Sequence, residues 1–172
     1  MTPITHHQSL ITAFIALGSN LDAPAEQVRQ GIADLACLPQ TRVTRASALY
    51  GSSPVGYRDQ PDFINAVAEI ETRLEPRPLL DALLEIEKRH GRIRGVRNGP
   101  RTLDLDIALY GNRVVREPGL VVPHPRLHER AFVIVPLAEL APQLDIPGLG
   151  PVSGLLERID AGSVSRLADV RA

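Results

Sequence analysis

Polar and apolar positions alternate with period two along three stretches of the chain, and each alternation predicts a strand. In Thr102–Tyr110, Leu103, Leu105, Ile107 and Leu109 fall on one face, and Thr102, Asp104, Asp106, Ala108 and Tyr110 on the other. In Phe63–Thr72 the apolar face is Ile64, Ala66, Ala68 and Ile70, and Thr41–Tyr50 alternates as well. A fourth strand, Ile11–Leu17, is almost continuously apolar and is expected to be buried. Helical spacing replaces alternation in two places. Pro24 and Glu26 suit a first helical turn, and Val28, Ile32, Leu35 and Ala36 carry that helix toward Pro39. Pro76 and Pro78 open a second helix, with Leu79, Leu83, Ile86 and His90 on its inner face.

Between these elements lie a long loop, Gly51–Asp62, and an Arg/Gly loop, Gly91–Arg101. Gly111–Arg113 signals a hairpin with Val114 and Val115 as its return strand. Val122–Arg130 reads as an extended segment followed by a turn, and Ala131–Ala141 has a helical composition interrupted by Pro136. Leu155, Leu156, Ile159 and Leu167 suggest a terminal helix. The order strand, helix, strand, strand, helix, strand is the split βαβ pattern of a ferredoxin-like α+β sandwich. Its antiparallel sheet would carry helices on one face and leave the other for loops or a ligand, with extra C-terminal hairpin and helix elements.

Composition narrows the classes. Residues 1–10 are expected to form a flexible tail, with His6 and His7 solvated, and residues 11–172 a single domain. The net charge of −1 gives no global field toward nucleic acid or a membrane, so any anion site must come from local clustering. Cys37 stands alone, which rules out an intrachain disulfide, and its apolar surroundings suggest a core position. The run Ile11–Leu17 is too short to span a bilayer and lacks the flanks of a signal peptide, so the chain is expected to be cytoplasmic.

Asp104 and Asp106 project to the same side of their strand. Like charges that close raise each other's energy unless water or a cation intervenes. A solvated outer face is one reading; a Mg²⁺ site, using two carboxylates together with phosphate oxygens, is the other. Arg92, Arg94, Arg97 and Arg101 fall just before the pair, in RIRGVRNGPR, within a chain of 18 arginines and one lysine. Guanidinium forks beside two acids have the parts of a polyphosphate clamp. Neither a P-loop nor a dinucleotide fingerprint is present, and Gly18–Asn20 reads as a plain turn with a helix cap. His124 stands between Pro123 and Pro125, where its ring could meet a phosphate; zinc binding with His128 is disfavoured by the lack of a nearby third ligand.

Together, ALGSNL (Ala16–Leu21), DQPDFINAV (Asp59–Val67), GPRTLDLDI (Gly99–Ile107) and VPHPRLHERAFVIVPLAELAP (Val122–Pro142) resemble the 6-hydroxymethyl-7,8-dihydropterin pyrophosphokinases of folate biosynthesis, over about Phe14 to Pro142. The resemblance implies transfer of the β,γ-diphosphate of ATP to the pterin hydroxymethyl group, giving AMP. It implies two Mg²⁺ ions on Asp104 and Asp106, with Arg92 and Arg101 joining them in catalysis. It implies ATP contacts from Glu87, Arg92, Arg94, Arg101, Ile107, His124 and Arg130. Phe63 and Phe132 match a pair that sandwiches the pterin ring, and Ser52, Pro54, Val55 and Asn65 match its remaining contacts. The expected partners are ATP and the pterin, without nucleic acid or membrane, for a monomer. Leu84, Asn98 and Gly119 depart from the pattern, where glutamine, tryptophan and arginine are common. A Mg²⁺-dependent nucleotidyltransferase and a ferredoxin-like ligand-binding module remain the alternative classes.

Overall fold

The computed structural model describes residues 8–95 and 97–168; the expected tail through residue 7, with His6 and His7, lies outside them. Gln8–Leu10 is exposed, with the Gln8 carbonyl accepting a hydrogen bond from Arg73 Nη1 at 2.7 Å.

In chain order the elements are β1 (Ile11–Ser19), α1 (Pro24–Ala36), β2 (Thr41–Ala46), β3 (Tyr50–Ser52), β4 (Phe63–Thr72), α2 (Pro76–Arg89), β5 (Asp104–Tyr110), β6 (Val115–Glu117), β7 (Leu120–Val122), α3 (Ala131–Leu140), β8 (Asp145–Ile146), β9 (Gly150–Pro151), α4 (Val152–Arg158) and β10 (Val164–Arg166). The main sheet runs β5-β1-β4-β3-β10, with β2 also on β4, and every pair is antiparallel. β2 and β3 are two halves of one strand paired with β4. Their junction is held where Ser47 N donates to Val67 O and Val67 N donates to Ser47 Oγ, both at 2.9 Å. With that pair counted as one, the strand order is the ferredoxin-like one expected from the pattern.

The expectation of helices on one face only is corrected. α1 and α2 cover one face, packing Val28, Leu35, Leu79, Leu83 and Ile86 against Ala13, Ile15, Leu17, Ala66, Ala68 and Ile70. α3 and α4 cover part of the other, packing Val133, Ile134, Leu137, Val152 and Leu155 on Phe14, Val67, Ala108 and Leu109. The sheet is therefore buried on both sides, and the uncovered remainder of its second face forms the floor of a cavity. Pro136 lies inside α3 and cannot donate to the Phe132 carbonyl, but the apolar burial along this helix outweighs the missing bond.

Other expectations shift for local reasons. Leu109 does not share a face with Leu105 and Ile107: Phe14 pairs with Leu109 and Ile15 with Ile107, so Ala108 is the extra residue of a bulge and the alternation inverts after it. Cys37 is exposed, because α1 ends at Ala36 and a residue two positions beyond buried Leu35 points away from the sheet. β6 pairs with β7 through a turn at Pro118–Gly119, with Gly119 at φ 73°, and does not return along β5. The terminal helix stops at Arg158, and the chain then adds β10 to the edge of β3. No described helix is long and apolar enough to cross a membrane.

Candidate active site

The cavity encloses about 230 Å³. Its floor is the second face of the sheet, and strand parity decides which side chains reach it. Asp104 and Asp106 on β5, Phe63 and Asn65 on β4, and Ala16 and Gly18 on β1 all point there, while Leu105 and Ile107 point into the core under α1 and α2. Gly18 pairs with Asn65 on one side and Asp104 on the other. A Cβ at Gly18 would come within 3.3 Å of Asn65 Oδ1, so glycine keeps the floor open between the amide and the acid. Ser52, Ser53 and Val55 form one wall, Arg126, Glu129, Arg130, Phe132 and Val133 another, and Asn98 and Arg101 a third.

Each acid of the cavity faces an arginine. Asp104 Oδ1 accepts from Arg92 Nη1 at 2.5 Å and Oδ2 from Arg101 Nη1 at 3.0 Å. Asp106 Oδ2 lies 3.5 Å from Arg130 Nη1, and Glu129 accepts from Arg126 Nε at 2.6 Å. Arg101 also stacks over the Phe63 ring at 5.1 Å, and Arg130 over Phe132 at 5.9 Å. Among the described residues, Arg92 Nε and Arg101 Nε are buried without a hydrogen-bond partner. Two orphaned cationic donors beside the acids suit an oxyanion ligand. Burial, reinforced by the Asp104 charge, pushes the Asp106 carboxyl up to about 6 despite the opposing arginines.

Glu87 is buried beneath this layer. Its Oε1 accepts from Leu105 N at 2.8 Å, and its Oε2 is 3.8 Å from Arg92 Nε. Burial pushes this carboxyl up to about 7, against the hydrogen bond from Leu105 and with a further push from Asp104. The charged form is thus penalised in the folded state. That penalty is absent below the ordinary value of 4.5 and complete above the folded value. Glu87→Gln keeps an acceptor for Leu105 N and removes the charge. It is therefore expected to gain stability over the parent protein at about pH 8 and to lose that gain near pH 5, as measured by denaturant unfolding at both.

Arg92 owes its position to the end of α2. Gly91, at φ 74°, closes a Schellman motif in which Gly91 N donates to Lys88 O and Arg92 N to Glu87 O. The chain turns back over Glu87, and the Arg92 guanidinium reaches Asp104 and the Leu103 carbonyl.

The cavity thus brings together Ser52, Val55, Phe63, Asn65, Arg101, Asp104, Asp106, Arg130 and Phe132, with Arg92 against Asp104 and Glu87 below. Asn65 Nδ2 donates to Ser52 Oγ at 2.7 Å, leaving its oxygen toward Gly18. Others stand apart. The Ile107 side chain is in the core, so that residue can meet a ligand only through its main chain. Pro54 is half-buried behind the lining. Arg94 lines an adjoining groove with Arg92 and Arg97, which shares Asn98 and Arg101 with the cavity. The ring Nδ1 of His124 accepts from Arg126 N at 3.0 Å, and burial together with Arg130 and Arg126 lowers the basicity of the ring. Among the described residues no cluster of three or more His, Cys, Asp or Glu could hold a metal by itself.

Two residues that tie the cavity's loops together escaped sequence reasoning. Asn20 caps no helix; the residue before α1 is Ala23, without a side-chain cap. Instead Asn20 Oδ1 accepts from Arg101 N, and its Nδ2 donates to Gln60 Oε1 and Pro61 O, all at 2.9 Å. Gln60 Nε2 then donates to Asn98 O at 2.7 Å. Two amides join the three loops around the cavity. Arg126 and Glu129, three residues apart, pair with each other in the cavity wall and were not picked out in the sequence.

The uncovered part of the sheet's second face thus gathers two aromatic rings, two strand carboxylates and converging arginines. The family model described as 7,8-dihydro-6-hydroxymethylpterin-pyrophosphokinase (HPPK) matches residues 14–142, and the chain belongs to this family. Its enzymes transfer pyrophosphate from ATP to hydroxymethyldihydropterin in folate biosynthesis. A 2-amino-4-hydroxy-6-hydroxymethyldihydropteridine pyrophosphokinase of Haemophilus influenzae is 48% identical over 149 residues, 87% of this chain and 93% of that protein. The protein of the same name from Pseudomonas aeruginosa is 47% identical over 154 residues, 90% and 95% of the two chains. The fold is shared with a Plasmodium falciparum HPPK-DHPS crystal structure containing pteroate, at a TM-score of 0.74 and 12% identity. The match covers 94% of this chain and 47% of that one, so the chain spans about half of the two-part protein.

Proposed function

We propose that the cavity binds the dihydropterin between Phe63 and Phe132, and that Asp104 and Asp106 hold two Mg²⁺ ions against the triphosphate of ATP. The observation that carries this reading is that two strand carboxylates point into one cavity with arginines converging on both, Arg92 and Arg101 on Asp104 and Arg130 beside Asp106. The donor set fits the metal: magnesium takes one or two carboxylates and completes its shell with water and phosphate oxygens. When bound, the ions neutralise triphosphate charge and lower the proton affinity of the attacking alcohol.

The chain's own residues do the rest. Phe63 and Phe132 offer flat apolar surface to the ring, and Asn65 offers its free oxygen to an edge N–H. Arg101 and Arg130, stacked on those rings and paired with Asp104 and Asp106, would link the pterin site to the phosphates. Arg92 supplies positive charge beside Asp104, and Arg94 and His124 meet the nucleotide from outside the cavity. The alcohol oxygen attacks the β-phosphorus, the bond from that phosphorus to the α,β-bridging oxygen breaks, AMP leaves, and the alcohol proton passes to solvent.

Incubation with ATP, Mg²⁺ and reduced pterin is expected to give AMP without free pyrophosphate. Release of pyrophosphate would mean attack at the α-phosphorus and would overturn the reading, as would absence of turnover. Phe63→Ala and Phe132→Ala are each expected to raise the pterin KM about tenfold, in keeping with the loss of one stacking partner, with the ATP KM little changed in steady-state kinetics.

A further inference from the structure

Outside the cavity, at the root of the arginine loop, one side chain is held on both of its polar atoms. His90 is the residue on which α2 ends, and its ring is inserted between α2 and α1 with only 9% of the side chain exposed. Nδ1 lies 2.6 Å from Gln27 Oε1, and Nε2 lies 2.7 Å from Asp34 Oδ2. Both partners are themselves oriented. Gln27 Nε2 donates to the Asp22 carbonyl at 3.2 Å, which turns its oxygen toward the ring. Gln30 Nε2 donates to the other Asp34 oxygen at 3.2 Å. Both ring nitrogens thus face oriented oxygen atoms of α1.

We propose that His90 is a positioning residue for Arg92. The ring is the last side chain anchored in the α1–α2 seam before the loop. Lys88 and Arg89 are exposed, Gly91 has no atoms near where a Cβ would stand, and Ile93 is 85% exposed. Between the His90 ring and the Arg92 guanidinium the chain follows one path. His90 N donates to Ile86 O and Glu87 O, Gly91 N to Lys88 O, and Arg92 N to Glu87 O. The clasp on α1 fixes the end of α2, the Schellman turn fixes the direction of the chain, and the two together set where the guanidinium arrives. A small displacement at the root is carried to the charged tip, where geometry governs rate.

This inference rests on the reading of Arg92 as a residue that assists transfer, and a double-mutant cycle separates the two. His90→Phe keeps the volume of the ring and removes both hydrogen bonds. It is expected to lower kcat about tenfold while moving the pterin KM less than about twofold. In an Arg92→Ala background the same substitution is expected to change kcat by a factor of about one. Asp34→Asn, which leaves the ring and its packing in place, is expected to repeat the pattern in milder form, and it serves where His90→Phe fails to fold. If Arg92→Ala slows transfer and the His90 effect multiplies independently with it, the positioning role is overturned and the Arg92 reading stands. If Arg92→Ala leaves kcat unchanged, both fall. Unchanged kcat in His90→Phe, or in Asp34→Asn where it is the variant measured, overturns the positioning role alone.

Discussion

Asp106→Asn is expected to reduce turnover by at least about a thousandfold and, in the same protein, to raise its thermal stability. The first effect follows from removing a carboxylate that would hold a cation against the triphosphate, an interaction stabilising charge in the transition state. The second follows from the cost of keeping that carboxylate ionised. Its folded value of about 6 lies above the ordinary 3.8, so the folded state penalises the charged form. The penalty is complete above the folded value and vanishes below the unfolded one, so the amide gains stability at neutral and alkaline pH and gains nothing below about pH 4. Half of the side chain faces the open cavity, and solvent screening holds the gain to about 1 kcal/mol, roughly 2–4 °C in Tm. Single-turnover kinetics and calorimetry on one preparation check both. Near-normal turnover would remove the metal assignment, and a lowered Tm near neutral pH would mean that Arg130 compensates the charge in full.

Arg92→Ala is expected to slow the transfer step about a hundredfold or more while changing equilibrium ATP affinity less than about threefold. Its side chain, 18% exposed, is paired with Asp104. Binding of a metal–nucleotide must break that pair before Arg92 can reach a phosphate. Removing the side chain therefore takes away a competitor for Asp104 as well as a phosphate partner, and the two effects oppose each other in affinity. No such cancellation acts on the transition state, where the arginine charge is wanted and nothing replaces it. Rapid-quench measurement of the chemical step alongside equilibrium binding of Mg²⁺ and a non-hydrolysable ATP analogue separates the two. A large loss of affinity with an unchanged chemical rate would make Arg92 a binding residue only.

The central sheet and α1 and α2 were legible because each presents one apolar face at a fixed period, as in Phe63–Thr72 and in Leu79, Leu83 and Ile86. α3 was obscured by Pro136 and by apolar residues that surround it, since burial from several sides erases periodicity. The bulge at Ala108 depends on the register of β1 and has no signature within β5 itself. At the site, acids and arginines drew attention because unpaired charges are costly and so stand out in a sequence. Asn20 and Gln60 did not, because an amide shows its purpose only through partners, here 40 residues away in the chain. His90 was expected on the inner face of its helix, but its acceptors on α1 could not be read from spacing.

The double pairing of Asp104 with Arg92 and Arg101 has a consequence for which cations the protein admits. A bare divalent ion approaching that carboxylate must expel two guanidinium groups and leave them uncompensated in a half-enclosed space. An ion arriving already chelated by a polyphosphate brings oxyanions that take over the displaced arginines, so the exchange conserves salt links on both sides. If Asp104 holds a metal as proposed, these two pairs would favour an ion delivered with the nucleotide over a free one at that carboxylate.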